Sequence, residues 1–133
     1  HIGDLVIAMG ACTDSNYASQ YELPGTYAPI ASYELLKNAV KKSDEMKINY
    51  HVGNIVSSDL FYSANNSSMK WAKMGVLAVE MEAAALYMNA AYANVNALCI
   101  ATISDSLVTG ESTTSEQREK TFTNMMEVAL SLV

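Results

Sequence analysis

Short apolar runs alternate with helix-forming stretches along this sequence, and that alternation confines the chain to the α/β class. The runs cover residues 4–11, 48–56, 76–79 and 96–103. They are continuous rather than alternating, as strands buried on both faces are. Between them the spacing predicts a helix over residues 32–46, with Ser32 as N-cap, Leu35, Leu36, Ala39, Val40 and Met46 on one side and Lys37, Lys41 and Lys42 on the other. A short helix is expected over residues 67–73 and a longer one over 81–94, rich in Ala, Leu, Met and Tyr. The strand, helix, strand order of residues 76–103 reads as a βαβ unit, whose two strands should be parallel neighbours.

The clearest amphipathic pattern is C-terminal. Phe122, Met125, Met126, Ala129, Leu130 and Val133 recur at helical spacing, preceded by Thr113, Thr114, Glu116 and Gln117 as capping material. Residues 12–30, rich in Thr, Ser, Asn, Tyr, Pro and Gly, form a long loop, and loops of that length in small domains are often functional. Residues 57–68 form a second polar loop, interrupted by Phe61 and Tyr62.

At 133 residues and 50% hydrophobic content the chain has the size and apolar material for one domain, residues 1–133, with a single core. It opens on His1 and enters its first apolar run at once, as a piece of a longer chain would, and nothing resembles a signal peptide. A net charge of -6 with eight scattered basic residues argues against nucleic acid or an anionic membrane surface as partner. The most apolar stretch, residues 83–102, is broken by Asn89, Asn94 and Asn96 and does not read as a membrane span. Two cysteines, Cys12 and Cys99, are too few for a disulfide framework and read as reduced core residues.

In an open parallel sheet, ligands bind beyond the carboxyl ends of the strands. Two runs end in acids: Val79-Glu80-Met81-Glu82 and Ile103-Ser104-Asp105. Taken singly, Glu80 and Glu82 could serve only the dipole of the following helix, and Asp105 only a turn. If the two strands are parallel neighbours, the acids meet in one crevice, where a carboxyl can act as a general acid. Arg118, one turn before Phe122, projects on the side of the apolar stripe and needs a compensating partner; Asp105 is the candidate, and a guanidinium reaching solvent is the alternative. Phe61 and Tyr62 read either as a platform for a planar ring or as loop anchors. His1 and His51 lack the Cys or Asp spacing of a metal site, and no Gly-rich phosphate loop or nucleophile elbow is present.

The runs Val79-Glu80-Met81-Glu82-Ala83-Ala84, Ser104-Asp105, Thr113-Thr114 leading to Arg118, and Thr121-Phe122 resemble the hexameric bacterial (DeoD-type) purine nucleoside phosphorylases. Gly10-Ala11-Cys12-Thr13-Asp14-Ser15 and Ser58-Asp59-Leu60-Phe61-Tyr62-Ser63 match the same family. The resemblance implies the C-terminal part of a three-layer α/β/α sandwich around a twisted mixed sheet, with the N-terminal part of the fold missing and strand edges and apolar faces left open. It implies a cytoplasmic homohexamer that cleaves purine nucleosides with phosphate and uses no cofactor or metal. By that resemblance Asp105 is the general acid toward the purine and Arg118 assists it. Glu82 binds ribose hydroxyls, Met81 packs on the sugar, Val79 and Glu80 line the pocket, Ser104 borders it and Phe61 stacks on the base. The family's phosphate-binding residues have no counterpart in this chain, and Ser106 stands where many relatives carry His. A hydrolytic nucleosidase of the same superfamily and a nucleoside-binding fragment without catalysis are the alternatives.

Overall fold

The computed structural model describes residues 1–61, 67–116, 118 and 122–132. Its elements are β1 (Leu5–Thr13), a 3-10 turn (Tyr17–Tyr21), α1 (Tyr33–Glu45), β2 (Tyr50–Ser57), α2 (Ser67–Lys73), β3 (Val79–Glu80), α3 (Ala83–Ala93), β4 (Cys99–Thr102) and α4 (Thr123–Leu130). The strands form one mixed sheet in the order β3-β2-β1-β4. β1 runs parallel to β2 and β2 parallel to β3, whereas β4 runs antiparallel to β1.

Alternation along β1 explains its unbroken apolar sequence. Val6 and Ala8 face α3 and pack with Ala83, Ala84, Tyr87 and Met88; Leu5 and Ile7 face the other way, against Ala39 of α1 and Val128 of α4. The strand is therefore buried on both faces. Helices cover both sides of the sheet, which is the three-layer α/β/α arrangement. At Met9 the register slips by one residue, and Met9 is turned out toward solvent. Gly10 then lies so close to Asn54 that a Cβ would stand 2.7 Å from its Oδ1.

The first helix keeps its expected face, with Leu36, Ala39, Val40 and Met46 turned to the core. The Ser32 hydroxyl does not cap that helix; it accepts the Ala97 N–H at 2.9 Å and ties the helix start to the entry of β4. The short helix falls at Ser67–Lys73, as expected. In α4 Met125 and Val128 face the core, as Leu132 does just past its end, while Met126 and Leu130 are exposed. The expected stripe is thus displaced around the helix, and Val128 takes the fully buried position. Val133 lies outside the described residues.

The expected βαβ unit is not formed. Residues 76–103 do give strand, helix and strand, but β3 and β4 occupy opposite edges of the sheet. Residues 29–31 take the upper half of the β1 edge that β4 shares: Ala11 N–H bonds to the Pro29 carbonyl, and Ala31 N–H to that of Met9. α3 ends on left-handed Asn94, with the Val95 N–H returning to the Ala90 carbonyl. The chain then enters the sheet beside Ala8 and runs toward Leu5, pairing Ala8 with Cys99 and Leu5 with Thr102.

An apolar groove of about 390 Å³ opens beside β4, floored by Leu98 and Ile100 and walled by Leu35, Leu86, Met125 and Leu132. No helix among the described residues is long and apolar enough to cross a membrane.

Candidate functional site

The sequence-nominated residues fall into two groups. Glu80, Met81, Glu82, Val79 and Phe61 gather where β2 and β3 end and α3 begins. Glu80 pairs with Ser57 in the sheet and, through Ser57, stands level with Thr13 at the carboxyl end of β1. Ser104, Asp105 and Arg118 lie past the end of β4, where Gly3 and Asp4 bond to Ile103 at the opposite end of β1. Because β4 is antiparallel, strand adjacency does not bring Asp105 into one crevice with Glu80 and Glu82.

At the first group the loops are stitched by short polar contacts. Asp14 accepts the Ser58 hydroxyl at 2.8 Å and the Asp59 N–H at 2.9 Å, so the loop after β1 holds the loop after β2. Thr13 Oγ1 donates to the Ser57 carbonyl at 2.9 Å. The Glu80 carboxylate accepts the Glu82 and Ala83 N–H groups at 2.8 and 2.7 Å, together with the Ser57 hydroxyl. Glu80 is therefore a capping residue for α3, as a carboxylate at a helix start is well suited to be. Glu82 is exposed, and among the described residues its carboxylate receives the Met81 N–H alone, at 3.3 Å. Val79 and Met81 present half-exposed apolar surface beside it, and Phe61 is 76% exposed. Tyr62 lies outside the described residues.

At the second group Asp105 and Arg118 do meet. Arg118 Nη2 stands 3.5 Å from Asp105 Oδ1, with 46% and 40% of the two side chains exposed. Thr113 aims the guanidinium: its Oγ1 accepts from Arg118 Nε and its carbonyl from Nη2, both at 3.1 Å. Thr113 is itself fixed by donating to the Ser104 carbonyl at 2.8 Å. Ser104 Oγ donates to Asp105 Oδ2 at 2.7 Å, which leaves Oδ1 toward the arginine and solvent. The loop between them folds back as a narrow hairpin, with Asp105 bridged to Ser112 and Ser106 N–H on the Glu111 carbonyl. A half-open carboxyl beside a fixed cation is an arrangement from which a proton can be exchanged with a bound molecule.

Between the groups lie Tyr87 and Cys99. Burial pushes the Tyr87 hydroxyl up to about 12 and the Cys99 thiol up to about 11, and the charges of Glu80 and Glu82 add to the effect on Cys99. Both cysteines are free and partly buried. At the Gly3 end of the sheet, His51 Nε2 lies 2.9 Å from Asp4 Oδ2. No group of three or more metal-ligating side chains occurs among the described residues.

Sequence reasoning missed Ser57, Asp14 and Thr113 as organising residues. The signal was present for the first two: Thr13-Asp14-Ser15 and Ser57-Ser58-Asp59 each follow an apolar run directly, where polar clusters belong to the loops at a sheet's carboxyl edge.

Comparison with known proteins places these residues in a wider set. A family model described as the phosphorylase superfamily matches residues 1–133. A DeoD-type purine nucleoside phosphorylase of Thermoanaerobacter sp. (strain X514) is 54% identical over 130 residues, 97% of this chain and 56% of that protein. Those of Clostridium novyi (strain NT) and Clostridium beijerinckii are 49% and 53% identical over 98% and 99% of this chain. The chain spans about half the length of the curated relatives it matches.

Proposed function

This chain belongs to the phosphorylase superfamily, and from that premise we propose that the complete protein carrying it is a purine nucleoside phosphorylase. Such a pentosyltransferase cleaves the N-glycosidic bond of purine (2'-deoxy)ribonucleosides with inorganic phosphate, releasing the free base and (deoxy)ribose 1-phosphate. The observation that carries the reading is the Asp105–Arg118 pair, held half-open by Thr113.

In this reading protonated Asp105 gives its proton to the purine N7, so the base departs neutral, and Arg118 stabilises the carboxylate left behind. Ser104 orients that carboxyl through its hydroxyl. The sugar becomes oxocarbenium-like as the bond breaks, and Glu82 holds its hydroxyls while Met81 and Val79 pack against it. Phe61 supplies a face for the base, and Glu80 lines the pocket. At about 3.3 Å per residue the nine-residue β1 holds the start of α3 and the Ser104–Asp105 loop roughly 26 Å apart, more than one nucleoside spans, so the roles of Asp105 with Arg118 and of Glu82 are separate parts of the proposal, each with its own test. Residues outside this chain would bring the phosphate. The proposal extends to a cytoplasmic homo-oligomer, a hexamer by its resemblance, that needs no metal or organic cofactor.

The direct test uses the complete protein with inosine or adenosine, with and without phosphate. Purine release that depends on phosphate supports phosphorolysis; equal release without it assigns the chain to hydrolytic nucleosidases instead.

A further inference from the structure

We propose that Ser57 is a positioning residue that frees Glu82 for a ligand by taking over, with Glu80, the capping of α3. The inference rests on the reading of Glu82 as the sugar-facing acid. Ser57 is 5% exposed and sits at the last position of β2. Its hydroxyl donates to one oxygen of the Glu80 carboxylate and accepts the Ala84 N–H at 2.8 Å. The other Glu80 oxygen takes the N–H groups of Glu82 and Ala83. Three successive N–H groups at the start of the helix, which would otherwise lack partners, are thus satisfied by Glu80 and Ser57.

The consequence falls on Glu82. It occupies the N-cap position, where a residue's own side chain normally turns back onto the helix, yet it makes no such bond. With the N–H groups already taken, the Glu82 carboxylate stands exposed, with only the weak contact from Met81 N–H among the described residues. Glu80, by contrast, already accepts three hydrogen bonds and has little capacity left for a substrate hydroxyl. The Thr13 bond to the Ser57 carbonyl and the Ser58 N–H on the Glu80 carbonyl, at 2.9 Å each, fix this cap against the sheet. Glu82 is thereby aimed by the sheet rather than by the helix.

The test is S57A in the complete protein. Losing the hydroxyl leaves the Ala84 N–H without a partner and releases Glu80, and the nucleoside KM should rise about tenfold, the equivalent of one buried hydrogen bond. The KM for phosphate should stay unchanged. S57T, which keeps a hydroxyl, should recover most of the loss, and S57C, with similar volume and a weak hydrogen-bonding thiol, should fall between. A lowered melting temperature with an unchanged nucleoside KM, or equal losses toward both substrates, overturns the inference. So does an S57C protein that binds nucleoside as well as wild type. Should the wild type cleave no nucleoside at all, the functional reading fails by itself. The cap is then read by hydrogen exchange, which S57A should speed at the Glu82, Ala83 and Ala84 amides, and unaltered exchange there removes the cap.

Discussion

The Tyr87 hydroxyl accepts the Cys99 N–H at 2.9 Å and donates to the Ala8 carbonyl at 2.5 Å, so one side chain from α3 joins β1 to β4 where β4 enters the sheet. Both partners are buried or nearly so. Y87F removes the hydroxyl and leaves a backbone N–H and a carbonyl without it. The loss expected is about 1–3 kcal/mol, seen as a lowered melting temperature and faster hydrogen exchange at the Cys99 amide. Exchange unchanged at that amide would contradict the bridging role.

The same pair sets an alkaline limit. Burial pushes Tyr87 up to about 12 and Cys99 up to about 11, so the folded state holds both protons more tightly than the unfolded chain does. The stability they contribute is complete below pH of about 9 and is lost as pH rises through about 9 to 12. Melting temperature measured against pH should fall across that window. The Cys99 thiol should react slowly with iodoacetamide near neutral pH, since the thiolate is the nucleophile.

Glu80 should matter for the fold through hydrogen bonds more than through charge. E80A removes the acceptor for Glu82 and Ala83 N–H and should cost about 0.5–2 kcal/mol, as loss of a helix cap does. E80Q keeps a carbonyl oxygen in place and should cost less than half as much. Equal losses in the two, measured by thermal melts, would point to charge instead.

Arg118 separates stability from chemistry. Its ion pair with Asp105 is about half exposed on both sides, so R118A should change stability by under about 1 kcal/mol. Turnover should still fall at least about tenfold, the lower range of help that a charge at a reacting group gives. A variant that loses stability and keeps its turnover would make Arg118 structural.

Local sequence patterns carried much of this structure and non-local ones did not. The inner face of α1 and the two-faced burial of β1 follow from local pattern, because they depend on neighbours a few residues away. The direction of β4 does not. Apolar runs carry no sign of direction, and the β1 edge on which β4 pairs is shared with Pro29 to Ala31, sixty residues and more upstream. The pairing of Arg118 with Asp105 was legible because a cation beside an apolar stripe needs a partner. The convergence of Asp105 with Glu82 was not, since it was argued from strand adjacency that the sheet does not have. Glu80 was read either as a ligand residue or as serving the dipole of the following helix, and the structure has it on the first N–H groups of α3, joined there by Ser57, twenty-three positions away.

The general-acid assignment is tested most directly by D105N in the complete protein, assayed for purine release from inosine with saturating phosphate beside a calorimetric titration of the nucleoside. The account expects turnover to fall by roughly a hundred- to ten-thousand-fold while nucleoside still binds. Turnover equal to wild type would contradict it.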